Sequence, residues 1–373
     1  MNILIVSLAY APYSGVGAAR MTSLSEYLIK KNNKVTVLCY DSIVFGEAEQ
    51  KRVIPEGVVR VCVKKKENRL TNNKYLKRTL DNLIGCQHFD VCISSIGPCE
   101  TMFFIDKVCK KHNLPFLIDY RDPWIFERNE MLPKGILKYK VWIYDHICQF
   151  VEKRVIRNAV RIVSVTKQCQ DDLIKRYEID KSKFVVIYNG YEKVPLFNTD
   201  KNEVGYTIGI AGKFSSYNSV AANMFMEVCA EIEEKEPITL LHIGARERIY
   251  EEKYMNIYHG VGERSYIDAM NELAKADALL ISYAHTSGLG TKVFDYIALN
   301  KPILYVGVVP SELATFVGQF ENSYICADKE SMRKSIVRLL SEKPYYLTKT
   351  NREVYSREKQ NEIYWNMLLE IVG

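Results

Sequence analysis

The densest chemical signal in the chain is Ser287-Gly288-Leu289-Gly290-Thr291-Lys292, with Asp295 three residues further on. The apolar run Ala278–Tyr283 reads as a strand and the two glycines as a loop that leaves backbone N–H groups exposed. Lys292 to Asn300 has helical periodicity, and Pro302 stops it before the next apolar run, Ile303–Val306. The first N–H groups of a helix lack intrahelical partners and the helix dipole favours negative charge there, so Gly288, Leu289, Gly290 and Thr291 lead into a ready anion site. Lys292 adds a full positive charge, and Asp295 falls on the same helix face. A cation for a diphosphate, with a carboxylate one turn later for two sugar hydroxyls, is the equipment a nucleotide-diphosphate sugar needs. The plain alternative is a surface loop and an ordinary helix.

Two further groups carry polar chemistry. Asp119-Tyr120-Arg121-Asp122-Pro123-Trp124 ends the apolar run Pro115–Tyr120, and the carboxyl ends of strands are where open α/β sheets bind ligands. Arg121 and Asp122 are the candidates for that contact; alternatively Arg121 pairs with Asp119 or Asp122 and pins the loop. Gly15-Val16-Gly17, following the strand Asn2–Leu8, invites a dinucleotide-binding reading. It fails because Arg20 stands where the third glycine belongs and because about seven residues separate the strand from Gly15, whereas the dinucleotide turn follows its strand directly.

Lys292-Val293-Phe294-Asp295-Tyr296-Ile297-Ala298-Leu299-Asn300-Lys301-Pro302 resembles the K-h-h-E-Y-h-A-x-x-K-P segment of family 4 glycosyltransferases with the GT-B fold. The resemblance implies that Lys292 contacts the donor diphosphate and Asp295, in place of the usual Glu, the nucleotide ribose. Ser287 stands where many members carry a second Glu that contacts the donor sugar. The segment from Asp119 to Trp124 resembles the D-x-R-D-P-W signature of a bacterial polysaccharide branch, and the loop through Gly15, Val16 and Gly17 is similar to the family's first loop near donor phosphate and acceptor. Gly212-Lys213 matches a turn that carries a basic residue on the diphosphate; Asn218 stands near the place of a second one. Gly260-Val261 resembles the backbone segment that meets the nucleobase.

These groups need a scaffold, and 373 residues are too many for one ordinary core, so two domains are expected. Apolar residues make up 47% and charged ones 26%, the balance of a globular chain, and no apolar run approaches the roughly 20 residues that span a bilayer. Met1 to Tyr10 lacks a basic segment and a cleavage-like site, and reads as a strand rather than a signal peptide. Ten cysteines without CxxC pairs suit reduced core thiols of a cytosolic protein. The six histidines show no metal-ligand spacing. Charge is uneven: residues 1–200 hold 32 Lys and Arg against 22 Asp and Glu (+10), residues 201–373 hold 19 against 23 (−4). The first half therefore faces anionic partners more readily. Between Arg60 and Arg78 eight basic residues meet Glu67 alone; this is a solvated face, an anionic-lipid contact or, with no stacking platform to support it, a nucleic-acid contact.

Strand and helix patterns alternate along the whole chain. Strands are expected at Asn2–Leu8, Lys34–Tyr40, Val58–Val63, Asp90–Ile96, Pro115–Tyr120, Arg161–Thr166 and Phe184–Asn189. A helix is expected at about Glu100–His112. A long one at Leu132–Asn158 either packs on the core or presents Trp142 and tyrosines to a membrane surface. After a polar linker at Thr199–Gly205 the alternation restarts with Tyr206–Gly212, Thr239–Gly244 and Asn256–Val261. Helices follow at Ser265–Ala276, Glu330–Leu340 and Arg352–Ile371.

The expectation is two doubly wound Rossmann-like α/β domains facing across a cleft. They are an acceptor-side domain over 1–198 and a donor domain over 199–350, with a helix over 351–373 crossing back to the first. The resemblance implies a retaining, metal-independent transferase, without cofactor, moving a sugar from a UDP-sugar or another nucleotide-diphosphate donor to a glycan or lipid-linked acceptor in surface polysaccharide biosynthesis. Asp122, Arg121, Lys213 and Lys292 are its catalytic candidates. Its place would be the cytoplasm, with peripheral contact to the inner leaflet. Closure of the two domains would limit donor hydrolysis. The competing reading from another class is a non-catalytic binding protein of the same fold at the membrane surface; a nucleotide-sugar epimerase is a third, and expects acid–base groups not identifiable in the sequence.

Overall fold

The structure is a computed structural model. It describes residues 1–46, 52–121, 138–192, 205–216, 218–233, 236–347 and 352–373. Contacts divide the chain into two compact units, Met1–Asn189 with Glu358–Gly373, and Gly190–Arg357.

The first unit is built on a seven-stranded parallel sheet in the order β3-β2-β1-β4-β5-β6-β7. Its strands are β1 (Asn2–Val6), β2 (Lys34–Tyr40), β3 (Val59–Val63), β4 (Val91–Ile96), β5 (Phe116–Tyr120), β6 (Arg161–Ser164) and β7 (Phe184–Val186). Successive side chains of a strand point to opposite faces. Leu4 and Val6 accordingly enter one apolar cluster, with Leu38, Cys92 and Ile118, while Ile3 and Ile5 enter the other, with Val37, Ile93 and Leu117. Both faces are covered, as all-parallel sheets require. The helices are α1 (Val16–Lys30), α2 (Arg69–Cys86), α3 (Ile105–Lys111), α4 (Lys138–Asn158) and α5 (Lys167–Tyr177).

The second unit carries a six-stranded parallel sheet in the order β10-β9-β8-β11-β12-β13. It comprises β8 (Tyr206–Ala211), β9 (Ile238–Ile243), β10 (Tyr258–Gly260), β11 (Ala278–Tyr283), β12 (Ile303–Gly307) and β13 (Ser323–Cys326). Its helices are α6 (Ser219–Glu233), α7 (Arg248–Lys253), α8 (Tyr266–Lys275), α9 (Lys292–Leu299), α10 (Glu312–Val317) and α11 (Lys329–Glu342). In each sheet the strand order reverses once, at β1/β4 and at β8/β11. Such switch points open a crevice at the carboxyl ends of the strands.

Several elements differ from the sequence reading. The helix expected at Glu100–His112 is a short 3-10 turn, Glu100–Phe103, followed by α3, with Phe104 at φ −144° between them. Thr101, Met102, Phe104 and Ile105 are all buried. The helix α6, for which the sequence reading named no element, buries Ala221, Ala222, Phe225, Met226, Cys229 and Ile232, a 3.6-residue pattern that was present to be read. The last helix starts later than Arg352: a 3-10 turn, Arg352–Tyr355, precedes α12 (Arg357–Val372), and Ser356 between them bridges to Tyr191. The linker expected at Thr199–Gly205 and the first six residues of the expected Leu132–Asn158 helix lie outside the described residues, apart from Gly205. All ten cysteines are unbridged.

Candidate functional site

In the second unit the turns after β8 and β11 flank the switch point, and between them they carry most of the residues singled out above. Gly212 ends β8 at φ +77°, a left-handed conformation that a side chain would strain, and its N–H donates to the Ile243 carbonyl at 2.7 Å. A Cβ on Gly212 would lie 3.6 Å from Lys292 Nζ. The ammonium of Lys292, 80 residues away in sequence, therefore lies against the Gly212-Lys213 turn. Tyr296, one turn further along α9, accepts the Ala211 N–H at 3.2 Å and ties the helix to the same strand end.

Burial dominates the electrostatics here. It pushes the Lys292 ammonium down to about 8, against the opposing pull of Asp295. Burial likewise pushes the Asp295 carboxyl up to about 6, against a hydrogen bond from the Tyr266 hydroxyl to its Oδ1 at 2.8 Å and the nearby Arg357. Arg357 is itself paired with Glu192 at 2.9 Å. Cation and carboxylate thus sit one turn apart, each half-buried and each with its charged form disfavoured.

The glycine loop closes the other side. Gly288 and Gly290 have positive φ, and the Thr291 cap of α9 makes no side-chain hydrogen bond to the helix N-terminus. Gly288 donates its N–H to Glu312 Oε2 at 3.0 Å, and Glu312 donates its own N–H to the Thr286 carbonyl at 2.9 Å. The Tyr283 hydroxyl donates to the Ser287 carbonyl at 2.9 Å. Leu289 is buried, so only its backbone faces the loop.

A cavity of about 550 Å³ opens beside Gly212 and Lys213, with Ser215, Arg246, Glu247, Glu263 and Arg264 among its lining. Gly260 and Val261 belong to the adjoining strand end, where Val261 N–H bonds the His242 carbonyl at 3.0 Å; it is Glu263 and Arg264, just beyond, that line the cavity. Asn218 bonds the Tyr283 carbonyl through its Nδ2 at 3.2 Å and accepts the Ala221 N–H at 3.0 Å, so it serves the start of α6.

Two residues the sequence reading passed over are central to this turn. His242 is buried, with Nδ1 2.5 Å from the Tyr258 hydroxyl and Nε2 2.6 Å from the Gly212 carbonyl. A carbonyl only accepts, so Nε2 carries the proton and the ring is neutral, in keeping with a pKa lowered by burial. A histidine inside the apolar strand Ile238–Ile243 was the available signal. Glu247 accepts the Ser215 N–H through Oε1 at 3.1 Å, while its buried Oε2 has no protein partner. Nothing in its spacing marked it.

Gly15, Val16, Gly17 and Arg121 belong to the first unit, at the β1/β4 switch point. A Cβ on Gly17 would lie 1.9 Å from Arg121 Nη1, so the missing side chain makes the seat of that guanidinium; Gly97, at the end of β4, adjoins its other nitrogen. Asp119 does not pair with Arg121 as one reading allowed. It is taken by Arg20, whose Nε and Nη2 reach its carboxylate at 2.9–3.1 Å with both residues buried. Arg20 Nη1 also donates to the Tyr188 carbonyl at 2.8 Å. Asp122, Pro123 and Trp124 lie outside the described residues.

Comparison with known proteins gives two family matches. Residues 17–193 match the model described as Glycosyltransferase Family 4, and residues 205–342 the model described as Glycosyl transferases group 1. Among solved structures the chain is similar to a glycosyltransferase from Rickettsia africae, at TM-score 0.70 and 13% identity over 100% of this chain and 98% of that one. It is also similar to Anabaena HepE in complex with UDP, at TM-score 0.65 and 12% identity over 99% and 100%. A UDP-GlcNAc 2-epimerase from Neisseria meningitidis bound to UDP-GlcNAc gives 0.63 and 12% over 99% and 100%. At such identities the structural likeness speaks to the fold. No curated protein matches the chain.

Proposed function

Starting from a chain that belongs to the family 4 glycosyltransferases of the GT-B fold, we propose that this enzyme moves a sugar from a nucleotide-diphosphate donor, a UDP-sugar, to a glycan or lipid-linked acceptor. Transfer proceeds with retention, without a divalent metal, in building a surface polysaccharide at the inner face of a membrane. The observation that carries the reading is the seating of Lys292 against the Gly212-Lys213 turn at the start of α9, with Asp295 one turn further on. The diphosphate lies across Lys213, Lys292 and the N–H groups of the Gly290-Thr291 turn, and Asp295 accepts the ribose hydroxyls. The nucleoside enters the cavity between Lys213 and Arg264, and its N–H or O–H groups answer the unpartnered Glu247 Oε2.

In the reaction the bond from the anomeric carbon to the phosphate oxygen breaks while an acceptor oxygen bonds to that carbon on the same face. The acceptor's proton passes to the departing phosphate, so no protein nucleophile is needed. The chain's task is to hold positive charge where negative charge develops. Fixed cations and helix N–H groups in a site withdrawn from water do so with little reorganisation. Diphosphate binding restores the full charge of Lys292 by supplying the counter-charge that its buried position lacks. Arg121, on its glycine seat in the first unit, is the candidate for a polar contact to the sugar.

The test is thermal stability against UDP, GDP, ADP, CMP and NAD, with Lys292→Ala alongside. A ligand at 100 times its dissociation constant adds about 2.7 kcal/mol. Stabilisation by UDP, lost in a folded Lys292→Ala protein that also lacks transfer activity, is the expected result. An active Lys292→Ala enzyme would overturn the site assignment, and absence of donor turnover in the native protein would favour a binding protein of the same fold.

A further inference from the structure

The turn that carries Lys213 is held by one buried ring. His242 lies on β9, inside the apolar run Ile238–Ile243, and is 1% exposed. Its Nε2 donates to the Gly212 carbonyl at 2.6 Å, and its Nδ1 accepts a hydrogen bond from the Tyr258 hydroxyl at 2.5 Å. Burial pushes that hydroxyl well above its usual range and so keeps it protonated. A protonated phenol donates to Nδ1, which leaves the ring's single proton on Nε2, so Tyr258 fixes the tautomer from the far side. Phe214, fully buried, packs beside the same ring, with centroids 6.0 Å apart. Lys213 is exposed, while both of its chain neighbours are anchored on His242.

The fit between ring and turn is close. A Cβ on Gly244 would clash with the Gly212 oxygen and lie 2.9 Å from His242 Nε2, so a glycine at 244 is what lets carbonyl and ring meet. The Gly212 N–H is engaged as well, on the Ile243 carbonyl at 2.7 Å. Gly212 stands at φ +77°, and a glycine peptide swings between such conformations at low cost unless its polar groups are tied. The Gly212–Lys213 peptide is planar and trans, so its carbonyl and its N–H point opposite ways. Fixing the carbonyl on His242 therefore fixes the direction of the Lys213 N–H, and with it the root of the Lys213 side chain. Gly212 and Lys213 line the cavity of about 550 Å³, and Lys292 Nζ stands 3.6 Å from where a Gly212 Cβ would be.

We propose that His242 is a positioning residue for the donor's diphosphate: without touching the ligand, its ring sets the direction of the Lys213 N–H and the place of the Lys213 ammonium, and Tyr258 sets the ring. The inference deepens the donor reading above and rests on it. The role needs a neutral ring with its proton on Nε2. An apolar ring of similar size keeps the packing but leaves the Gly212 carbonyl without its donor, and the turn is released. A glutamine brings an amide N–H close to where Nε2 stands. An asparagine, one methylene shorter, does not reach the carbonyl.

The experiment is calorimetric titration of the full chain with UDP and with uridine, which lacks the diphosphate. The native protein is compared with His242→Phe, His242→Gln and Tyr258→Phe, each checked for folding by urea unfolding. Expected is UDP affinity at least about tenfold lower in His242→Phe, the scale of one lost buried hydrogen bond, with uridine affinity unchanged. His242→Gln restores most of the UDP affinity, and Tyr258→Phe falls between. His242→Asn takes the place of His242→Phe if that variant does not fold. A purely structural role would move the urea midpoint but not the ratio of the two affinities. A folded His242→Phe or His242→Asn protein that keeps native UDP affinity, or loses UDP and uridine affinity alike, overturns the proposal, as does a His242→Gln protein no better than His242→Phe. Native protein that binds no nucleoside diphosphate at all would instead overturn the donor reading, and this inference with it.

Discussion

At the scale of single residues the second unit holds two ionisable groups in places that disfavour their charge. Asp295 is pushed up to about 6 from an ordinary value of 3.8, so between those pH values the folded protein binds more protons than the unfolded one and stability falls as pH rises. Above about pH 6 the cost is complete. Lys292, pushed down to about 8 from 10.5, has the opposite window: the unfolded chain binds more protons between those values, and stability rises with pH across them. Asp295→Asn should therefore stabilise the unliganded protein by about 1 kcal/mol at pH 7.5 in urea unfolding, while removing nucleotide-dependent stabilisation. An Asn variant that loses stability at pH 7.5 would refute the burial argument. The same two values set the pH range for the proposed donor: calorimetric UDP affinity should be highest between about pH 6 and 8, falling below as Asp295 takes up its proton and above as Lys292 loses its own. Affinity that is flat through both limits would exclude these groups from the contact.

At the scale of elements, the loops at the carboxyl end of the first sheet depend on a buried charge pair. Arg20 projects from α1 and holds Asp119 at the end of β5 and the Tyr188 carbonyl beyond β7, so one side chain links three segments. In the sequence Arg20 figured as a missing glycine. Its type and place excluded a dinucleotide turn, but its partner lay 99 residues away. Breaking a buried pair from one side leaves a charge without compensation, at a cost of about 3–5 kcal/mol. Arg20→Met should lower stability by that amount in chemical denaturation, and Arg20→Met/Asp119→Leu should recover much of it. A single variant within about 1 kcal/mol of native would mean that water replaces the partner. Arg121, two residues after Asp119, takes a different seat, against Gly17 and Gly97. The sequence offered only the pairing of Arg121 with Asp119 or Asp122, because a partner 99 residues away leaves no mark in local spacing.

At the scale of the whole molecule, charge and site are divided between the halves. Residues 1–200 carry +10 and residues 201–373 carry −4, while the cavity and the Lys292–Asp295 pair lie in the second unit. The acidic half still concentrates positive charge locally at Lys213 and Lys292. Vesicle binding should respond to the field of the first half. Raising ionic strength from about 0.1 M to 1 M shortens the screening length from about 10 Å to 3 Å and should release most of the protein from phosphatidylglycerol vesicles. Salt-independent vesicle binding would mean that the cations of the first half are not the source of attraction. The sequence by itself determined the two parallel sheets, most strand positions, the glycine loop before α9 and the Lys292–Asp295 spacing, because strand and helix periodicity and turn chemistry are local properties written within a few residues. Only the tertiary structure decided which groups meet: Lys292 against Gly212, Tyr266 on Asp295, Glu312 on Gly288, Arg20 on Asp119, Arg69 over Tyr144. Those meetings follow from how strands order in a sheet and how helices pack across it, and spacing along the chain carries no record of either.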